Sequence, residues 1–482
     1  MLFNSIDFAI FLPIVFLLYW FVANKNLKIQ NFLIVVASYI FYGLWDWRFL
    51  FLILFSTLID YSVGVRLIKE QNTSKRKVLL WVSILVNLGV LGFFKYYNFF
   101  LENFTMAFSF FGSPINVQGL NIILPVGISF YTFQTLSYTI DVYRRKLEPT
   151  KDLIAFSAFV SFFPQLVAGP IERATNLLPQ FYKKRTFVYN NAVDGLRQIL
   201  WGLLKKIVIA DNSAQIANEI FNNSTDYSGS TLALGAIFFT FQIYGDFSGY
   251  SDIAIGTSRL FGFDLKQNFA FPYFSRDIAE FWRRWHISLS TWFRDYLYIP
   301  LGGSRGGTWM KIRNTFIIFI VSGFWHGANW TFVFWGALNA LYFLPLLLLN
   351  KNRTYTNTVA EGKNLPSLKE FYQIAATFIL TALAWVFFRA ENLEHAFDYL
   401  SAIFSKSLFS LPQFSDMRLA LSTSILIIIF VLIEWLGREN EYAIEKLGLN
   451  WYRPIRWVMY FTIILTLFWF TGQQQQFIYF QF

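Results

Sequence analysis

Residues 281–329 contain two of the three histidines of the chain, His286 and His326, and each directly follows a tryptophan. His326 lies in an apolar segment that suits the hydrocarbon core of a membrane. An ionisable side chain is costly to keep at that depth, so its default interpretation is functional. A neutral imidazole could act there as a general base. The alternative is a structural histidine that hydrogen-bonds across a helix interface.

On a continuous helix, His326 would share one face with Ser322 and Asn329. Small residues in the same segment would let a neighbouring helix or a substrate chain approach closely. Asn329 could orient the imidazole. Asn329, or the N–H of a tryptophan such as Trp325, could also stabilise the oxyanion that develops on a reacting carbonyl.

His286 would share a helical face with Trp282 and Ser290, whereas Glu280 and Arg284 would face each other elsewhere on the helix. This polar flank suggests the cytoplasmic boundary of the membrane or the floor of a cavity. An interfacial amphipathic helix explains the tryptophans well and stays open as the alternative. It explains the histidine less well, so a functional role is favoured.

A second group of polar residues interrupts an apolar run at 241–252. Gln242, Asp246 and Tyr250 recur every four residues, with Gly245 and Gly249 alongside. On a helix this spacing gives one polar stripe beside one close-packing stripe. A carboxylate in such surroundings must face a partner or a wet cavity. Both a structural hydrogen-bond network and the lining of a substrate tunnel fit this pattern.

Gly302 and Gly303, with Arg305 close behind, could wrap a phosphate-bearing acyl donor with backbone N–H groups and a cation. The segment is not a Walker loop, because no Gly-Lys-Ser/Thr follows the glycines. A plain basic turn is the favoured interpretation. His395 follows a charged stretch that is typical of a surface helix, and no chemical role is expected for it.

The composition is that of a membrane protein. The chain has 482 residues, of which 55% are hydrophobic and 14% charged, whereas soluble chains carry roughly a quarter charged residues. The net charge of +11 comes from short basic clusters between apolar runs, which is the pattern that sets membrane topology. Nucleic-acid binding is therefore not expected. Cysteine is absent, which excludes thiol catalysis and thiolate metal sites, and no metal site is predicted.

The apolar runs predict an all-α polytopic protein with about a dozen membrane segments, each needing ~20 residues if it spans fully. We expect a single transmembrane domain over 1–482, some re-entrant segments, and a linker at 351–370. The predicted spans are 8–23, 29–45, 49–65, 78–94, 99–112, 121–142, 152–168, 194–212, 230–261 (one bent helix or two short ones), 281–300, 314–348, 371–389, 419–436 and 454–472.

Five blocks of this sequence together resemble the membrane-bound O-acyltransferase family, and specifically its bacterial alginate O-acetyltransferase branch. Each block alone would be a weak signal. They are GPIE at 169–172, DFSGYSD at 246–252, FWRRWHIS at 281–288, YLYIPLGG at 296–303 and GFWHGANW at 323–330.

The resemblance implies a ring or funnel of membrane helices around a central tunnel in the bacterial cytoplasmic membrane. His326 matches the catalytic histidine of the family, and His286 a second histidine required in this branch. Acetyl-CoA is then the expected acyl donor, with no bound cofactor. A separate extracytoplasmic, hydrolase-like (SGNH) transferase is the expected partner. The polymer would be an alginate-like exopolysaccharide or a cell-wall glycan.

The end of the chain, FIYFQF at 477–482, resembles the terminal motif of a small partner used by D-alanyl-transferring relatives. Tyr479 is therefore a candidate acyl relay, and an aromatic membrane anchor is the alternative. Two other functions stay open: transfer of D-alanyl or another acyl group to a cell-wall polymer, and a non-enzymatic transporter or scaffold for polysaccharide export.

Overall fold

The computed structural model describes residues 1–112, 115 and 117–478, and within these residues it contains helices but no strand. Helix accounts for 71% of the structure, as the all-α prediction requires. The α-helices are α1 Ile6–Leu17, α2 Leu27–Asp46, α3 Leu50–Lys69, α4 Thr73–Leu91, α5 Tyr97–Phe110, α6 Ile128–Tyr143, α7 Leu153–Ser161, α8 Ala174–Leu177, α9 Tyr189–Leu203, α10 Asp211–Asn222, α11 Gly229–Leu260, α12 Ile278–Arg284, α13 Ile287–Phe293, α14 Gly307–His326, α15 Trp330–Leu348, α16 Leu368–Arg389, α17 Leu393–Ile403, α18 Met417–Gly437 and α19 Arg453–Trp469.

Helical stretches long and apolar enough to cross a membrane occur along much of the chain. In the described residues they are Leu27–Lys69, Thr73–Phe110, Trp330–Leu348, Leu368–Arg389 and Met417–Gly437. The first two each contain a pair of α-helices joined by a short helical turn. Many of the large side chains on these stretches are exposed, which suits a surface in contact with lipid. The protein is therefore a helical membrane protein.

The chain divides into two compact units. The first comprises 1–192 and 257–265, and the second comprises 193–256 and 266–482. In the first unit, the fully buried carboxylate of Asp60 joins three helices, because it accepts hydrogen bonds from Ser83 and Asn87 on α4 and from Thr139 on α6. Both histidine blocks and the polar stripe at 242–250 belong to the second unit.

Several predicted spans have a different form. Residues 281–300 are not a span, because α12, α13 and a π-helical turn at Arg294–Tyr298 divide them. The run at 314–348 is also broken, into α14 and α15, because Gly327 has an extended backbone. In contrast, the run at 230–261 is the single 32-residue helix α11.

The polar stretch 351–370 connects α15 to α16 as predicted, but arginines of the second unit hold it in place. Arg276 donates to the Asn357 carbonyl at 2.8 Å, and Arg438 donates to the Val359 carbonyl at 3.0 Å. Arg283 donates to the carbonyl of Asn352 at 2.7 Å. Charge-assisted hydrogen bonds to backbone carbonyls are among the stronger ones, so these arginines hold the polar segment in a fixed position.

Candidate active site

His326 is the last residue of α14 and is almost completely buried, with 3% of its surface exposed. Its ring lies edge-on to aromatic neighbours from three helices: the centroid distances are 4.9 Å to Trp325, 5.3 Å to Trp335 and 5.2 Å to Phe388. These aromatic side chains form apolar walls around the imidazole. A general base requires the neutral form of the imidazole.

The helical hairpin α14–α15 holds His326 in place through close backbone contact. A Cβ atom on Gly323 would lie 2.1 Å from the carbonyl oxygen of Phe332, and one on Gly336 would lie 2.3 Å from that of Phe319. Both positions therefore need glycine. The prediction that small residues in this segment admit a neighbouring helix is confirmed, and the neighbour is α15.

The predicted helical face that joins His326 to Asn329 is wrong. The helix ends at His326, and Asn329 instead caps the start of α15: its side chain accepts a hydrogen bond from the Thr331 N–H and donates to the Glu391 carbonyl at 2.8 Å. These bonds engage both ends of the Asn329 amide. Ser322 lies one turn before His326 and is buried, at 8% exposure.

His286 occupies a tight turn between α12 and α13, so its predicted helical face with Trp282 and Ser290 is also wrong. Its backbone is left-handed, with φ 44° and ψ 54°, a conformation that costs a β-carbon-bearing residue of order 1–3 kcal/mol and often marks a functional site. Asn268 supports the turn: its carbonyl accepts from the Ile287 N–H at 2.9 Å, and its side chain accepts from the Ser288 hydroxyl at 2.8 Å.

The predicted pairing of Glu280 with Arg284 on α12 is confirmed, with Nη2 of the arginine 2.9 Å from Oε1 of the glutamate. Arg276 pairs with the same carboxylate at 3.0 Å. The short helix before His286 is therefore fixed by two cations on one buried anion.

The structure brings the two histidines together. Their ring centroids are 6.5 Å apart, and the Trp325 ring lies 4.9 Å from His326 and 6.1 Å from His286. His286 is 1% exposed and its ring packs edge-on against Phe247 of α11 at 4.6 Å. The two imidazoles are therefore neighbours in surroundings largely shielded from water.

The polar stripe of α11 is buried beside this pair. Gln242, Asp246 and Tyr250 are 3%, 2% and 6% exposed. Asp246 accepts hydrogen bonds within a network, whereas Tyr250 packs its ring 5.0 Å from the ring of Phe477. Of the two interpretations of the stripe, these contacts favour the structural network. Tyr479, the candidate acyl relay, lies outside the described residues.

The close-packing stripe of α11 is confirmed. A Cβ on Gly249 would lie 2.7 Å from the Gly202 carbonyl oxygen, and one on Gly245 would lie 2.9 Å from that of Lys205. The helix thus contacts the backbone of α9 and of the π-helical turn Leu204–Ala210 that follows it.

That turn carries two lysines that the sequence analysis missed. Lys205 Nζ lies 3.0 Å from Asp252 and 3.2 Å from Glu434, and Lys206 Nζ lies 2.7 Å from Asp211 and 2.9 Å from Asp246. The signal was present, because both lysines fall inside a predicted span, where a charge is itself an anomaly.

In the part of the chain that the structure describes, no contact joins the glycine turn around Arg305 to the histidines. Arg305 is exposed, and its backbone N–H donates to the Gly302 carbonyl at 3.3 Å. The Gly303 carbonyl accepts from the Asn314 side chain at 3.0 Å. Positive φ values of 101° at Gly302 and 59° at Gly303 explain the glycines as residues of a tight turn. The plain basic turn remains the better interpretation.

Two buried imidazoles in a helical membrane protein are consistent with a membrane-embedded transferase. Comparison with known proteins identifies the family. The family model for MBOAT, the membrane-bound O-acyltransferase family, matches residues 32–387. A Pseudomonas aeruginosa protein named "Probable alginate O-acetylase AlgI" is 40% identical over 446 residues, covering 92% of this chain and 82% of that protein.

Two further relatives show the range of acyl groups. The peptidoglycan O-acetyltransferase of Helicobacter pylori is 33% identical over 528 residues, covering 100% of this chain and 98% of that protein. A teichoic acid D-alanyltransferase of Bacillus subtilis is 27% identical over 291 residues, covering 57% of this chain and 71% of that protein. The chain belongs to the membrane-bound O-acyltransferase family, and it is an O-acyltransferase.

Proposed function

We propose that this enzyme moves an acetyl group from cytoplasmic acetyl-CoA across the bacterial cytoplasmic membrane, for O-acetylation of an alginate-like exopolysaccharide or a cell-wall glycan. The observation that carries this proposal is the buried pair of His286 and His326, with ring centroids 6.5 Å apart. The names of two relatives, which refer to alginate and to peptidoglycan, support the class of polymer.

His326 acts as the general base. A hydroxyl oxygen of the acceptor attacks the thioester carbonyl carbon, and its proton goes to a ring nitrogen of His326. The carbon–sulfur bond then breaks, and the same proton passes to the sulfur, so that CoA leaves as the free thiol. His286 positions the acceptor. The aromatic walls formed by Trp335, Phe388 and Phe247 keep out water that would otherwise hydrolyse the thioester.

The acetyl group then leaves the membrane on an acceptor, for which Tyr479 is the candidate within this chain. A separate extracytoplasmic hydrolase-like transferase places it on the polymer. This route requires a multi-pass protein, and we propose roughly a dozen membrane segments, some re-entrant, around a central tunnel. Five long apolar stretches in the described residues support a multi-pass protein.

The decisive variant is His326→Ala, because it removes the proposed base. The purified His326→Ala variant, incubated with labelled acetyl-CoA, should release CoA at least about 100-fold more slowly than the unmodified enzyme. This factor is the usual contribution of a general base. The matched control is His395→Ala. His395 lies on α17, hydrogen-bonds Ser224 at 3.2 Å and accepts from the Glu391 N–H at 3.4 Å. It takes no part in the proposed reaction, so its loss should leave the rate within about twofold of the unmodified enzyme.

An equal rate for His326→Ala and the unmodified enzyme would refute the catalytic assignment. Activity with a D-alanyl thioester but not with acetyl-CoA would instead identify the chain as a D-alanyl transferase. Movement of a polysaccharide without thioester cleavage by any variant would identify a transporter.

A further inference from the structure

The last described residues of the chain are bound to buried polar side chains of the second unit. The Asn212 side chain donates to the Phe470 carbonyl at 3.0 Å, and Lys206 donates to the Gln475 carbonyl at 3.2 Å. The N–H of Ile478 donates to Asp246 Oδ2 at 2.7 Å. This segment, residues 470–478, is called the C-terminal arm below.

The charges around Lys206 explain why the arm binds at this place. One ammonium group lies 2.7 Å from Asp211 and 2.9 Å from Asp246, so a single cation serves two carboxylates. All three side chains are at least nine-tenths buried. A buried carboxylate is stable only when its oxygens are paired or hydrogen-bonded. Lys206 pairs with Oδ1 of Asp246, and the Ile478 N–H donates to its Oδ2, so docking of the arm completes the cluster.

The arm is docked next to the histidine pair. Ile478 is fully buried, and the Phe477 ring lies 5.0 Å from Tyr250 and 6.2 Å from Phe247. Phe247 in turn contacts His286 at 4.6 Å. One aromatic ring therefore separates the end of the arm from the proposed acceptor site.

We propose that Lys206 and Asp246 are positioning residues that dock the C-terminal arm beside the histidine pair through the backbone of Gln475 and Ile478. Neither side chain needs to touch the acyl donor. The docking itself is independent of the reaction. Its consequence, that acyl transfer requires the arm, rests on the function proposed above.

Labelling of an introduced cysteine tests the docking directly. The chain has no cysteine of its own, so Ile478→Cys provides a single thiol at a buried position whose N–H is retained. A docked arm should protect this thiol from a water-soluble maleimide. Asp246→Ala or Lys206→Met in the same background should raise the labelling rate at least about tenfold, because each removes charge-assisted bonds to the arm.

Asp252→Ala is the matched control, since Asp252 is a buried carboxylate of the same helix but pairs with Lys205 instead. It should leave the thiol protected. Ser401→Cys, an exposed position, reports the labelling rate of an accessible thiol in the folded protein. Continued protection in Asp246→Ala would overturn the proposal. An equal rise in Asp252→Ala would overturn it too, because it would show general loosening.

Ile478→Pro provides a second test that leaves the ion cluster unchanged. Proline lacks the backbone N–H, whereas Ile478→Ala keeps it and removes most of the side chain. Acetyl transfer should fall about tenfold further in the proline variant than in the alanine variant. Equal activity of the two would refute the role of this bond. Failure of His326→Ala to affect the reaction would refute the proposed function but leave the labelling result intact.

Discussion

Lys205 and Lys206 are neighbours in one π-helical turn, and each faces two buried carboxylates, but their clusters are closed by different parts of the chain. Lys205 binds Asp252 on α11 and Glu434 on α18. The Tyr244 hydroxyl donates to the same glutamate at 2.6 Å. Every partner in this cluster is a side chain on a long helix, so the cluster joins helices that separate only when the unit unfolds.

The Lys206 cluster is completed by main-chain groups of the C-terminal arm. Lys206 donates to the Gln475 carbonyl, and Asp246 accepts from the Ile478 N–H. An arm at a chain end can leave without disrupting a helix. Each cluster has one lysine and two carboxylates, but the comparison indicates different roles. The Lys205 cluster stabilises the fold, and the Lys206 cluster holds the arm in position.

The largest effect is expected for Lys205→Met. It leaves Asp252 and Glu434 buried without their cation, which costs about 3–5 kcal/mol in stability. Thermal unfolding of the purified protein in detergent would measure the loss. In the fraction that stays folded, a cysteine at Ile478 should remain protected from maleimide.

The control for this variant replaces the whole cluster. Adding Asp252→Asn and Glu434→Gln to Lys205→Met removes the charges left without a partner and should recover most of the stability. If the single Lys205 variant exposed the arm as fully as Lys206→Met does, the proposed separation of tasks would be wrong.

A smaller effect is expected for Gly249→Ala. This variant tests whether the close backbone contact between α9 and α11 positions the two lysine clusters. The new Cβ would lie 2.7 Å from the Gly202 carbonyl oxygen, so α9 and α11 must separate slightly. Overpacking of this kind costs typically 1–3 kcal/mol. Gly89→Ala on α4 is the control, because no described atom within reach would contact its Cβ. Equal stability of both variants would show that the close approach is unimportant.

Much of this arrangement was predictable from local sequence. Apolar runs located most of the long helices, and the four-residue spacing from Gln242 to Tyr250 gave both stripes of α11. The isolated carboxylate of Asp246 correctly required a partner. Burial of His326 followed from its apolar surroundings, whereas the polar flank of His286 left a boundary position or a cavity floor open. These features depend on residues that are close in sequence, where helical geometry fixes their relative positions.

The features that could not be predicted depend on distant residues. The left-handed turn at His286 is stabilised by Asn268, and the break after His326 is stabilised when Asn329 binds the Glu391 carbonyl. The partner of Asp246 at Ile478 is 232 residues away in sequence. Helical periodicity contains no information about such contacts. It therefore predicted that the helices continue through His286 and past His326.

The smallest effect is expected for Arg305→Ala, which compares an exposed cation with the buried ones. The sequence suggested that Arg305 and the neighbouring glycines could bind the donor phosphates, but the side chain is exposed on a turn. Its loss should change stability by no more than about 0.5 kcal/mol. The KM for acetyl-CoA, measured by CoA release, should stay within about twofold for the same reason. An increase of the KM with an unchanged kcat would show that this turn binds the donor, and it would extend the functional site from the buried histidines to an exposed cation.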